Sequence, residues 1–158
     1  MLKYDDASWH SGENFPKDVP LKNCATHTGM FLNWCIENNL ISDKLKEITA
    51  TDIEKLMQRK ITGAEFILTA MEGKFSESDL NNFGNSFAQD YYADDTDFGN
   101  QYSSFADDYI NLFDTKAEQN GEAYKSFYHI EDTHENYHLM KQMINYRFEE
   151  WKVYKNLN

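Results

Sequence analysis

The segment His134-Glu135-Asn136-Tyr137-His138 has the spacing most suggestive of chemistry in this sequence. On a helix, two histidines four residues apart lie one turn apart on the same face and can share a Zn²⁺ ion. The intervening glutamate could then activate a metal-bound water. The surroundings do not extend the pattern. The longer version needs Gly at 141 and His at 144, where this chain has Lys141 and Ile144, and a later glutamate ligand could only be Glu149 or Glu150. His134 and His138 are therefore expected to be a solvent-facing pair on an amphipathic helix. A small zinc-dependent hydrolase using His134, Glu135 and His138 is the alternative, and no metal or cofactor is otherwise expected.

A second group of polar and aromatic candidates lies near the start: Tyr4, Asp5, Asp6, Trp9, His10 and, further on, His27. Adjacent residues of an extended segment point to opposite sides, so Asp5 and Asp6 are not expected to share one site. Capping or ion pairing is the expected role of each. His10 and His27 are read as structural histidines that fix the first segment to the first helix, with metal ligation or titration near neutrality as the alternative. Asp94-Asp95-Thr96-Asp97 resembles a fragment of a calcium loop but lacks the glycine and distal glutamate at the required offsets. Phosphate-binding glycine loops and the G-x-S-x-G elbow are absent from the sequence.

The elements that must position these residues read as helices. Residues 1–23 hold both prolines but also Tyr4, Trp9 and Phe15, which suits an extended arm packed on the body rather than a disordered tail. Helical spacing predicts helices over about 26–39, 51–60, 62–73, 76–91, 102–113 and 133–154. Capping boxes are expected at Thr51/Glu54 and Thr62/Glu65, and Ser76 has Asp79 three residues on. Residues 94–99 and 115–123 read as loops, and 124–130 as either a strand or a short turn. The last helix should bury Tyr137, Met140, Ile144, Phe148 and Trp151 on one face. The fold class is all-α: one domain over 1–158, with about six helices and the arm at 1–23.

Charge narrows the partner class. The formal net charge is −12, and no Lys or Arg occurs between Phe75 and Thr115. Nucleic-acid binding needs cations to displace counterions, so this balance argues against it. It favours encounter with a basic protein. No apolar run is long enough to span a bilayer. Two cysteines, Cys24 and Cys35, do not make a disulfide framework, which fits a reduced, cytoplasmic setting.

Several motifs together resemble a family of small bacterial proteins of unknown function. They are Lys3-Tyr4-Asp5-Asp6-Ala7-Ser8-Trp9-His10 with Phe15-Pro16, then Ala25-Thr26-His27-Thr28-Gly29-Met30-Phe31-Leu32-Asn33-Trp34. Further on come Phe75 to Asn81, Gly84 to Ala88, Tyr91-Tyr92, Tyr128 to Thr133, Glu135-Asn136-Tyr137 and Arg147 to Lys152. The resemblance implies free-standing cytoplasmic domains, some of them similar to immunity proteins against contact-delivered bacterial toxins. It implies no catalytic residues. The family pattern has Trp where this chain has His134, which makes the His134–His138 motif a local coincidence.

The expectation is thus a non-enzymatic binding protein, with an immunity role as the leading form. Its acidic and aromatic patch would be Asp90, Tyr91, Tyr92, Asp94, Asp95, Asp97, Phe98, Tyr102, Asp107 and Asp108. This patch would cover a basic toxin domain by steric and electrostatic blockade. A homo-oligomeric structural protein, such as a homodimer, is a further alternative.

Overall fold

A computed structural model describes residues 1–157 and is mainly helical. The arm begins as strand β1 (Lys3–Asp6), which pairs antiparallel with β2 (Lys74–Ser76). Asp5 lies opposite Phe75 and Asp6 opposite Lys74. Flanking bonds from Ala7 N to Gly73 O (2.8 Å) and from Glu77 N to Leu2 O (2.9 Å) extend the pairing. A 3₁₀ turn (Ala7–Trp9) follows, capped by the Asp6 side chain, which accepts from Ser8 N at 2.9 Å. A second 3₁₀ turn (Leu21–Ala25) leads into α1 (Thr26–Glu37).

Helix α1 is the central element, and every residue from Thr26 to Cys35 is buried. Its neighbours in sequence are α2 (Asp43–Ile48), α3 (Ala50–Met57) and α4 (Gly63–Ala70). The Thr62/Glu65 capping box forms as the sequence predicts. Helices α1 and α4 meet at Gly29 and Gly63, where a Cβ on either residue would overlap the backbone of the other helix. Glycine is required here because no side chain fits between two backbones in contact. The contact holds the first turn of α1, with His27 and Thr28, against the start of α4.

Next come α5 (Asn82–Tyr91), α6 (Asp97–Gln101), α7 (Phe105–Gln119) and α8 (His134–Tyr154). The side chains of Asn81, Thr96, Ser104 and Thr133 cap them in turn. Phe31, Trp34, Phe87, Tyr91, Phe105 and Trp151 fill the core with interlocking rings, all essentially inaccessible to solvent. On α8, Met140, Ile144 and Trp151 are buried as the periodicity predicts, and Tyr137 and Phe148 pack against the same core. No described helix is long and apolar enough to cross a membrane.

Several boundaries differ from the sequence reading. The Ser76/Asp79 box caps a 3₁₀ turn (Glu77–Asp79), and the following helix takes its own cap from Asn81. The segment read as a loop at 94–99 contains the start of α6, and α7 runs on to Gln119. Within 124–130, Phe127–His129 forms a 3₁₀ turn. The Thr51/Glu54 box does not form, because α3 begins at Ala50 with no side-chain cap. The arm packs through β1, Ala7 and Phe15, but it is extended only over Lys3–Asp6 and beyond that folds into turns that are mostly exposed, Trp9 among them; the β pairing that holds it was not anticipated.

Candidate functional site

β1 turns the Asp5 carboxylate inward, and five donors converge on it. His10 Nε2 lies 2.7 Å from Oδ1, and the Asp6 backbone N–H donates to Oδ1 at 2.8 Å. His27 Nε2 lies 3.1 Å from Oδ2, which also accepts from Thr28 Oγ1 at 3.0 Å and Tyr92 OH at 2.5 Å. The other ring nitrogen of His10, Nδ1, is 2.8 Å from Tyr128 OH. His27 Nδ1 is buried without a hydrogen-bond partner. Its ring is held by Asp5 and by T-shaped contacts with the rings of His10 (4.7 Å between centroids) and Phe127 (4.8 Å).

The electrostatics follow from this geometry. Burial alone would push the Asp5 carboxyl up, but the hydrogen bonds from His10, His27 and Tyr92 outweigh it and hold the group well below the ordinary carboxylate range. Burial pushes the His27 imidazole down, against the opposing pull of Asp5. Burial and then the Asp5 charge push the Tyr92 phenol well up. These directions favour an ionised Asp5 carboxylate beside an uncharged His27 imidazole, with the Tyr92 phenol donating to Asp5.

Asp5, His10, His27 and Tyr92 line an open pocket of about 230 Å³ together with Trp9, Phe105 and Phe127. Trp9 is 59% exposed at its mouth, with Lys3 Nζ 5.6 Å from the ring centroid. Asp94 and Ala106 belong both to this pocket and to a neighbouring groove of about 320 Å³. Asp94, Asp95 and Asp107 line that groove. Asp5, His10 and His27 each offer one ligand atom, and all three atoms lie within 4.8 Å of one another. They form the one such group of three possible metal ligands among the described residues.

The early sequence candidates therefore separate. Asp5, His10 and His27 come together: His27 bonds the arm to α1 through Asp5, whereas His10 bonds Asp5 within the arm and Tyr128, and meets α1 through its ring contact with His27. Asp6 diverges from Asp5, as alternation requires, and pairs with Lys3 Nζ at 2.9 Å. Tyr4 donates to Asn85 Oδ1 at 2.6 Å. Thr28 and Tyr128 were missed. Thr28 directly follows His27, and Tyr128 lies in an aromatic segment whose conformation the sequence leaves open.

The expected acidic and aromatic surface is only partly a surface. Tyr91 and Phe98 are 0% exposed, and Tyr92 is buried against Asp5. These three rings are core, not interface anchors, because α5 and α6 turn them toward α1, α7 and α8. Asp108 is 3% exposed and receives Arg147 Nε at 2.8 Å, Arg147 Nη2 at 3.0 Å and Tyr91 OH at 2.8 Å. It is an internal ion-pair partner, and the cation comes from α8, outside the base-free stretch. Asp90 is half-buried, accepting from Trp151 Nε1 (2.8 Å) and pairing with Lys155 (3.0 Å). Asp94, Asp95, Asp97, Tyr102 and Asp107 remain exposed.

The His134–His138 motif lies on the first turns of α8, with His138 and Glu135 exposed. His138 Nε2 is 3.2 Å from Gln142 Nε2, and no third ligand joins the pair among the described residues.

No curated protein and no solved structure matches the chain. One family does, described as a domain of unknown function (DUF7832), over residues 3–129. The match spans the arm, the α1/α4 contact and the turn carrying Tyr128, so it takes in every residue of the Asp5 cluster. It stops short of α8, where the sequence resemblance also extended. The chain is a member of the DUF7832 family.

Proposed function

We propose that this chain is a cytoplasmic, non-enzymatic binding protein that engages a basic protein through the acidic end formed by the α5–α6 turn and the start of α7. One observation carries the reading. Asp94, Asp95 and Asp107 are exposed around one groove, Asp97 is exposed at the adjoining start of α6, and none of the four joins an ion pair among the described residues. Carboxylates of one sign left without internal cations project a field that steers a cationic partner and offers it charge-assisted hydrogen bonds. Exposed Trp9 and Tyr102 supply aromatic contact beside them. In the form we favour, the partner is a bacterial toxin whose basic active site or substrate channel is covered, and the chain is its immunity protein.

The test is calorimetric titration with oligolysine and oligoarginine peptides across a salt series. The comparison is a variant carrying Asp94→Asn, Asp95→Asn, Asp97→Asn and Asp107→Asn. Binding should weaken steeply with salt and vanish in the variant. Equal binding by both proteins, or no preference over a neutral peptide, refutes the acidic-face reading. For the immunity form, co-expression should rescue growth of cells carrying a toxin encoded beside the chain, and the variant should fail to do so.

A further inference from the structure

We infer that Asp5, His10 and His27 form a site for a first-row divalent transition-metal ion of the Zn²⁺ or Fe²⁺ type. This inference does not depend on the acidic-face reading. Two imidazoles and one carboxylate suit such ions, whereas Ca²⁺ and Mg²⁺ prefer all-oxygen shells. The three ligand atoms already lie within 4.8 Å of one another, so small side-chain movements would bring them into coordination distance of one ion.

The surrounding shell supports the same conclusion. Metal-bound imidazoles are oriented through their second nitrogen, and metal-bound carboxylates are themselves hydrogen-bonded. Here Tyr128 OH sits on His10 Nδ1, while Thr28, Tyr92 and the Asp6 N–H hold Asp5. His27 Nδ1 is the one imidazole nitrogen of the pair without a hydrogen-bond partner. Because all three line the pocket, an ion bound there keeps coordination positions open to the cavity side. Loading it would cross-link the arm to α1.

The probes are Zn²⁺ and Co²⁺ added to the chelator-treated full chain. One ion should bind per chain, Co²⁺ should develop ligand-field absorption, and the thermal midpoint should rise. His10→Gln and His27→Gln should abolish all three effects. Tyr128→Phe, which leaves the three ligands in place, should weaken binding by about 10- to 100-fold. Circular dichroism checks that each variant is folded. On the unaltered protein, Zn²⁺ should shift the imidazole ¹⁵N resonances of His10 and His27, leaving those of His134 and His138 in place. Absence of uptake overturns the assignment, as does uptake that survives His10→Gln but is lost in His138→Gln.

Discussion

Replacing Arg147 by Met removes the cation that faces the most buried carboxylate of the α7–α8 contact. Arg147 grips both oxygens of Asp108, at 2.8 and 3.0 Å, and also reaches Glu150 at 3.0 Å. With the guanidinium gone, Asp108 keeps Tyr91 OH as its remaining side-chain donor, while staying 3% exposed. A charge stranded in this way costs about 3–5 kcal/mol, a large part of the roughly 5–15 kcal/mol by which a domain is stable. For a chain of this size the thermal midpoint should fall by on the order of 10 °C. Urea denaturation reads the change as a lower midpoint at constant slope. Arg147→Met with Asp108→Leu should recover most of the loss, since the double variant leaves no unpaired charge. A single-variant loss below about 1 kcal/mol, or a double variant no better than the single, would refute the reasoning. Asp108 would then be behaving as a solvated surface acid.

Other perturbations probe the elements that place the pocket. Gly29→Ala should destabilise by about 3 kcal/mol or more in denaturant, because two backbones must part, whereas Gly12→Ala, with open space around it, should stay within about 0.5 kcal/mol. Tyr92→Phe removes the shortest bond to Asp5 and should cost about 1–3 kcal/mol by the same assay. Stability should also depend on pH in two steps. His27 has a lowered pKa in the fold, so its contribution is complete above about pH 6.5 and declines below it, where the unfolded chain takes up a proton that the fold resists. The Asp5 pKa is lowered too, so a second loss begins near pH 4, where the unfolded carboxyl protonates first. Thermal midpoints across this range check both steps, and His27→Gln should flatten the upper one.

Much of the helical framework could be read from side-chain spacing. The stripe on α8 and the Thr62/Glu65 box are local signals, and local physics sets them. The site was only half legible. The sequence singles out Asp5, His10 and His27 as residue types, but their convergence depends on the β1–β2 pairing between segments about seventy residues apart. No local pattern encodes that pairing in a four-residue strand. The acidic patch failed for a related reason. A stretch without Lys or Arg looks uniformly exposed along the chain, yet Arg147 arrives from α8 to neutralise Asp108 inside the fold. Tyr91 and Phe98 look the same on paper as Tyr102, and only the direction each helix faces separates core from surface.

The pairing of β1 with β2 and the contact between His10 and Tyr128 also constrain the order of assembly during synthesis. The strand partner of the arm is made about seventy residues after it, and Tyr128 lies 118 residues beyond His10. At roughly 5–20 residues per second, Tyr4, Trp9 and Phe15 would wait on the order of ten seconds on the ribosome before their setting is complete. For that interval the arm is an aromatic-rich segment open to chaperones. The Asp5–His10–His27 cluster gains its outermost hydrogen-bond partner only once Tyr128 has been made, so the complete shell marks a chain synthesised at least that far.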